Sequence, residues 1–278
     1  MTDPEFAGFI ATCAHKALLY EALTAPKPGL VDRFDAGAHR DMDIFTFVDS
    51  AEALLPFFYR CAAAGIGHGR ADGTLFALLR RYGLDAEKDM FAATGGVNTH
   101  KGALFSMGLI CAAAGIAGEG ADFRTVCLTA GELAAPLADD LCRIDPAKAT
   151  YGETHYLKTG RAGIRDEALS GFRTVRELAM PALREGLGEG MSVNDAALTV
   201  LLRLIAETED TTLLKRCGDR DADRYRREAA AVPDCRGDAG KRELLRLNRE
   251  WSEAGISAGG CADLLGVTLF FAFFNKYI

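Results

Sequence analysis

Apolar residues recur along this chain at helical spacing, and nowhere with the strict alternation of a half-buried strand. Runs rich in Ala, Leu, Glu and Arg predict helices over 5–24, 44–64, 74–82, 86–93, 99–114, 123–141, 166–180, 193–207, 220–231, 241–254 and 258–275. Period-two runs of Val, Ile and Thr are absent. No Pro-, Ser- or Gly-rich linker divides the chain, and no fixed-period repeat points to a solenoid. The pattern therefore predicts an all-α fold: a single multi-helix domain over 1–278, of about ten or eleven helices. The most apolar stretch, 264–274, is too short to span a bilayer and suits a core helix. Two long stretches, 26–43 and 144–165, lack helical pattern, and long loops in compact domains are often functional.

Composition narrows the classes. An apolar fraction of 49% with 26% charged residues is that of a soluble globular protein. A net charge of −7 leaves no basic surplus for nonspecific nucleic-acid binding, although a local basic pocket for a small anion is compatible with it. The eight cysteines are far apart and form no CxxC pair, which argues against a zinc knuckle. Free thiols in that number suit a reducing cytoplasm, and the acidic Met1-Thr2-Asp3-Pro4-Glu5 does not read as a signal peptide. No membrane association is expected; a homo-oligomer is compatible with the sequence.

The densest chemistry lies in Gly96-Val97-Asn98-Thr99-His100-Lys101-Gly102, immediately before an almost wholly apolar helix. Free N–H groups and the macrodipole at such a mouth favour an anion. Asn98 or Thr99 can cap the helix, and His100 and Lys101 add a titratable donor and a fixed cation. The glycine and lysine spacing is not that of a Walker loop. Pro26-Lys27-Pro28-Gly29-Leu30-Val31-Asp32 opens the first long loop, in which Asp32, Asp35, Asp41 and Asp43 supply hard oxygen ligands suited to Mg²⁺. The alternative is a solvated acidic loop whose Asp43 caps the next helix. The second long loop holds Thr150-Tyr151-Gly152-Glu153 and Gly160-Arg161-Ala162-Gly163-Ile164-Arg165. There Arg161 and Arg165 offer a bidentate phosphate contact and Glu153 a ligand or base, the alternative being an ordinary surface pair of Arg165 with Glu167. Asp195, Thr199, Arg203, Glu207 and Asp210 share one stripe of a helix; it lines a polar cavity or, by a slight preference, faces solvent. Finally, Gly259 and Gly260 precede Asp263, an acid inside a hydrophobic run that needs a partner if buried.

Five segments together make the chain resemble the ATP:dephospho-CoA triphosphoribosyltransferase family (triphosphoribosyl-dephospho-CoA synthase). They are Lys27–Asp32, Gly37–Asp43, Gly96–Gly102, Thr150–Glu153 and Ser257–Leu265, in the family's order across nearly the whole chain. Two positions depart from it: Asp166 stands where an Arg-Gly-Glu-Ala motif has glycine, and Thr212 where asparagine follows Glu209-Asp210-Thr211. The resemblance implies an all-α enzyme that moves the triphosphoribosyl group of ATP to a ribose hydroxyl of 3′-dephospho-CoA, with loss of adenine. The product would be the prosthetic-group precursor for the acyl carrier subunit of citrate lyase or malonate decarboxylase, passed to a carrier-protein transferase.

Under that implication Lys27, Asn98, Thr99, His100, Lys101, Arg165, Gly259 and Gly260 would bind ATP and its phosphates. Asp32, Asp41 and Asp43 would contact Mg²⁺ or ribose, and Glu153, Asp210 or Asp263 would be the base. Two other classes use overlapping features: a Mg²⁺-dependent all-α phosphohydrolase, and a noncatalytic helical interaction protein that needs no inward-pointing acids.

Overall fold

The computed structural model describes residues 1–278, the side chain of residue 219 excepted. Among the described residues there are fourteen α-helices, one π turn and no strand, the all-α class that the periodicity predicts. The helices are α1 Asp3–Leu23, α2 Ile44–His68, α3 Gly73–Ala93, α4 Lys101–Ala117, α5 Phe123–Leu133, α6 Leu137–Cys142 and α7 Tyr151–Thr159. They continue with α8 Ile164–Leu169, the π turn Val175–Ala179, α9 Met180–Gly188, α10 Val193–Glu207, α11 Thr211–Cys217, α12 Asp219–Ala230, α13 Asp238–Glu253 and α14 Gly259–Phe274. No described helix is long and apolar enough to cross a membrane.

The core is built around α14, in which every residue from Leu264 to Phe274 is buried. It packs on α1, α10 and α4; α2 in turn lies along α1, α3 and α4. Apolar residues all round a helix demand neighbours on every side, which places α14 centrally. Phe270 stacks on Phe274, and Phe6 and Phe9 of α1 meet Phe274 from the side. The α2–α4 contact is backbone to backbone: a Cβ at Gly65 would lie 2.1 Å from the Ala112 carbonyl oxygen, and one at Gly115 would lie 2.4 Å from that of Ala62.

Several predicted boundaries are corrected. Segments 74–82 and 86–93 are one helix, α3, because Gly83 continues the helical backbone. The predicted 123–141 breaks at 134–136, where Pro136 supplies no N–H and opens α6. Segment 166–180 divides into α8, the π turn and the start of α9; Gly171 and Phe172 take positive φ between them. The supposed loop 144–165 contains α7. Its Thr150-x-x-Glu153 is a capping box, the Glu153 carboxylate accepting the Thr150 N–H at 2.9 Å. The short α11 was hidden for the same reason: Asp210, read as part of a stripe on α10, caps a new helix. Neither Asn98 nor Thr99 caps α4; His100 is the N-cap residue, without a side-chain cap bond.

Candidate active site

The loop 26–43 is organised by Asp32. Its buried carboxylate accepts the N–H groups of Lys27 (2.9 Å), Phe34 (2.7 Å) and Asp35 (3.2 Å). Burial nevertheless pushes the Asp32 carboxyl above its usual range. Lys27 is 1% exposed. Its ammonium donates to the Glu21 carboxylate and, at 2.7 Å, to the Glu21 carbonyl oxygen, so the nominated phosphate cation is already engaged. Glu21, at the end of α1, is buried. Burial raises its pKa, the Asp32 charge adds to the rise, and Lys27 opposes it. Sequence reasoning passed over Glu21. The signal was present, since Ala14, Ala17 and Leu18 place position 21 on the buried stripe of α1.

At the mouth of α4, His100 is 2% exposed. Its Nδ1 lies 2.7 Å from the Ser50 hydroxyl of α2, and Phe47 meets the ring edge-on. The Thr99 hydroxyl donates to the same Ser50, also at 2.7 Å. His100 Nε2 is buried and without a hydrogen-bond partner among the described residues. Burial, then the charge of Lys27, pushes the imidazole down to about 3, so it is neutral at physiological pH. Two residues on, Gly102 touches α14: a Cβ there would lie 2.0 Å from Asp263 Oδ2. Glycine is required by that approach. Asp263 keeps some accessible surface, but its carboxyl sits deep. Burial first, then the charges of Glu21 and Asp210, pushes it well above the usual carboxylate range, with the Ala103 N–H opposing.

Asp210 ties α11 to α14. One carboxylate oxygen accepts the Thr212 (2.7 Å) and Leu213 (3.1 Å) N–H groups, and the other accepts that of Cys261 (2.8 Å). Gly260 permits this, since a Cβ there would sit 3.1 Å from the Asp210 carboxylate, and Gly259 faces Thr212. The two glycines thus let helix starts meet, with Thr212 against Gly259 at that meeting.

Lys101 and Arg165 come together on a cleft of about 440 Å³ between α2, α3, α4, α6 and α8, which Gly102 also lines. Lys101 pairs with Glu87, and Arg165 Nη2 donates to Glu153 Oε1 at 3.0 Å. Glu153 is held below the usual range by the Thr150 groups it caps and by Arg165. Nearby, Glu209 joins His155 (2.7 Å) and Arg161.

The remaining nominated residues are not gathered here. Asn98 is exposed. Asp41 is 64% exposed, its carboxylate 3.9 Å from His39 Nδ1. Asp43 caps α2, accepting the Thr46 N–H at 3.0 Å, which lowers its pKa. Asp32, Asp41 and Asp43 therefore form no cage, and among the described residues no three His, Cys, Asp or Glu are placed to hold a metal ion. On α10, the exposed Arg203 pairs with Glu185 rather than Glu207, so that part of the stripe faces solvent.

Comparison with known proteins meets this geometry. A family model described as ATP:dephospho-CoA triphosphoribosyl transferase matches residues 7–278. A protein of Lactiplantibacillus plantarum named probable 2-(5''-triphosphoribosyl)-3'-dephosphocoenzyme-A synthase is 41% identical, over 94% of this chain and 95% of its own. The 2-(5''-triphosphoribosyl)-3'-dephosphocoenzyme-A synthase of Pectobacterium atrosepticum is 37% identical, over 91% and 84% respectively. Protein CitXG of Leuconostoc mesenteroides subsp. cremoris is 36% identical over 95% of this chain and 58% of its own length. No solved structure matches the chain.

Proposed function

Because the chain belongs to the ATP:dephospho-CoA triphosphoribosyl transferase family, we propose that it transfers the triphosphoribosyl group of ATP to a ribose hydroxyl of 3′-dephospho-CoA and releases adenine. The observation that carries this reading is the contact of two helix starts, where the Asp263 carboxyl lies against Gly102 and the cation Lys101 is the next residue. Cleaving the C–N bond sends its electron pair to adenine and leaves positive charge on the ribose, as in glycoside hydrolysis. The acceptor oxygen then bonds to that carbon, and its proton must go to a base.

Three acids were nominated as base, and their surroundings separate them. Glu153 is capped and paired with Arg165, which keeps it ionised and a weak proton acceptor. Asp210 spends both oxygens on three backbone N–H groups. Asp263 has a carboxyl unencumbered by side-chain bonds and, through burial, a raised affinity for the proton, the property that suits a proton acceptor. Asp263 is the base in this reading, and its negative form also stabilises the charged ribose. The first N–H groups of α4 and Lys101 hold the triphosphate, and the unpartnered His100 Nε2 offers one further contact. Mg²⁺ enters with ATP as part of the substrate; the scattered loop aspartates provide no preformed cage, and no step depends on one.

The product would serve the acyl carrier subunit of citrate lyase or malonate decarboxylase through a carrier-protein transferase, and eight cysteines without a disulfide suit a cytoplasmic site. Incubation with ATP, Mg²⁺ and dephospho-CoA, followed by mass analysis, tests the reaction. Free adenine and a dephospho-CoA adduct are expected. ADP with phosphate and no adenine would mean a phosphohydrolase.

A further inference from the structure

Resting on that reading of the reaction, we infer that the apolar cleft beside Lys101 holds the pantetheine arm of dephospho-CoA, with Arg80 and Arg165 on its diphosphate. The cleft is lined by Phe57, Phe76, Leu104 and Phe105, with the exposed Leu84 at its rim, and its volume of about 440 Å³ is that of a small-molecule pocket rather than a slot for a single base. The aromatic and aliphatic part of its lining, on α2, α3 and α4 beyond Gly102, offers an incoming purine edge little to pair with, because the backbone there is helical and bonded internally. ATP is almost entirely base, sugar and phosphate. Dephospho-CoA alone of the two substrates carries a long arm, whose methylene and gem-dimethyl segments are interrupted by two amides and a hydroxyl.

The order of groups along that acceptor matches the order of features along the cleft. Gly102 lines the cleft and abuts Asp263, which does not itself line it, so the Gly102 end of the cleft is the end nearest the base. Dephospho-CoA runs from ribose through diphosphate to pantetheine. With the ribose at Gly102 and Asp263, the diphosphate meets the cations and the arm enters the apolar floor. Arg80 is half-exposed and paired with Asp140, and Arg165 is paired with Glu153. Ion pairs of this exposure are weak, and a doubly charged diphosphate can compete for the guanidinium donors. Arg80 also lies over the Phe76 ring, which fixes its head at the cleft edge.

The test compares dephospho-CoA with ADP, an acceptor that keeps the adenosine diphosphate and lacks the arm. Wild-type enzyme should use ADP with a KM at least tenfold higher. Leu84 is 57% exposed, so Leu84→Trp should narrow the cleft without disturbing the core. It should raise the KM for dephospho-CoA tenfold or more and leave the KM values for ATP and for ADP as acceptor unchanged. Arg80→Gln should raise the KM for both acceptors and not that for ATP. A rise in the ATP KM alone with Leu84→Trp would make the cleft a purine pocket and overturn the inference, as would no change in any KM. If wild-type enzyme releases no adenine, the proposed reaction itself fails; if it does and Leu84→Trp is silent, only the cleft assignment fails.

Discussion

In the proposed reaction, catalysis and stability make opposite demands on Asp263. Its folded pKa is raised, so folding favours the protonated carboxyl. The stability this group contributes is complete below its unfolded value near ~3.9 and is lost as pH rises toward the folded value. Asp263→Asn removes the buried charge while keeping an acceptor for the Ala103 N–H. At pH 8 its Tm should exceed that of wild type by roughly 2 °C or more, and the difference should shrink toward pH 4. Turnover should fall by about 10²–10⁴, the usual share of a proton-transfer group. A variant that gains stability but keeps its turnover would remove Asp263 from the chemistry. Lys101 faces no such conflict, because its ion pair with Glu87 is largely exposed. Lys101→Ala should leave Tm nearly unchanged and raise the KM for ATP about tenfold or more, the worth of a charged hydrogen bond. At this scale the sequence exposed Asp263, because an acid inside an apolar run is costly unless it has a purpose. It concealed Glu21. An acid near a helix end reads as solvent-facing until Lys27 is seen folded back onto it.

At the scale of elements, two glycines in helices distinguish structural from functional close approach. Alanine is the better helix former by ~1 kcal/mol, so propensity alone predicts that Gly→Ala stabilises. Gly65→Ala should do the reverse. Its Cβ meets the Ala112 carbonyl at 2.1 Å, and backbone cannot swing aside. Overpacking of this kind costs about 1–3 kcal/mol, which lowers Tm by roughly 2–10 °C in a thermal melt. At Gly102 the obstructing atom is the Asp263 carboxylate, a side-chain end that can rotate. Gly102→Ala should therefore keep Tm within a few degrees while turnover drops at least tenfold, because the rotation misplaces the base. Equal losses of stability in both variants would show that the α4–α14 contact is structural only. Helix existence was legible because the apolar period persists for three turns or more in α2 and α10, and because α1, α4 and α14 are long apolar runs of helix-forming residues. α7 and α11 have seven to nine residues, too few to show a period, and their only sequence mark is a cap, Thr150 or Asp210, that doubles as a candidate for chemistry.

For the molecule as a whole, the loop 26–43 is held from a distance by two asparagines that the sequence gives no reason to single out. Asn194, at the start of α10, accepts the Ala25 N–H at 3.0 Å and donates to the Ala25 carbonyl at 2.9 Å, closing one end. Asn248, buried on α13, accepts the Gly29 N–H at 3.0 Å and donates to Asp35 Oδ2 at 2.9 Å, closing the middle. Gly29 can accept that clasp because its φ is +68° and its Cβ position would lie 2.0 Å from the Ile256 carbonyl oxygen. These partners are 169 and 219 residues from the loop, which is why spacing rules could single out the loop and not what fixes it. The loop then delivers Lys27 to Glu21 and Asp32 to its own turn, both beside the α4 mouth. Asn248→Ala leaves the Gly29 N–H and one Asp35 oxygen without their partner inside the protein, a cost of about 1–3 kcal/mol. A thermal melt should register a Tm lower by roughly 2–10 °C. The loop should loosen before the rest of the molecule, so hydrogen exchange should speed up at residues 27–38 while α14 stays protected. Transferase activity measured well below that Tm should fall severalfold, since the groups around His100 lose their support. If exchange accelerates evenly across the chain, Asn248 is an ordinary core contact and the loop is held by other means.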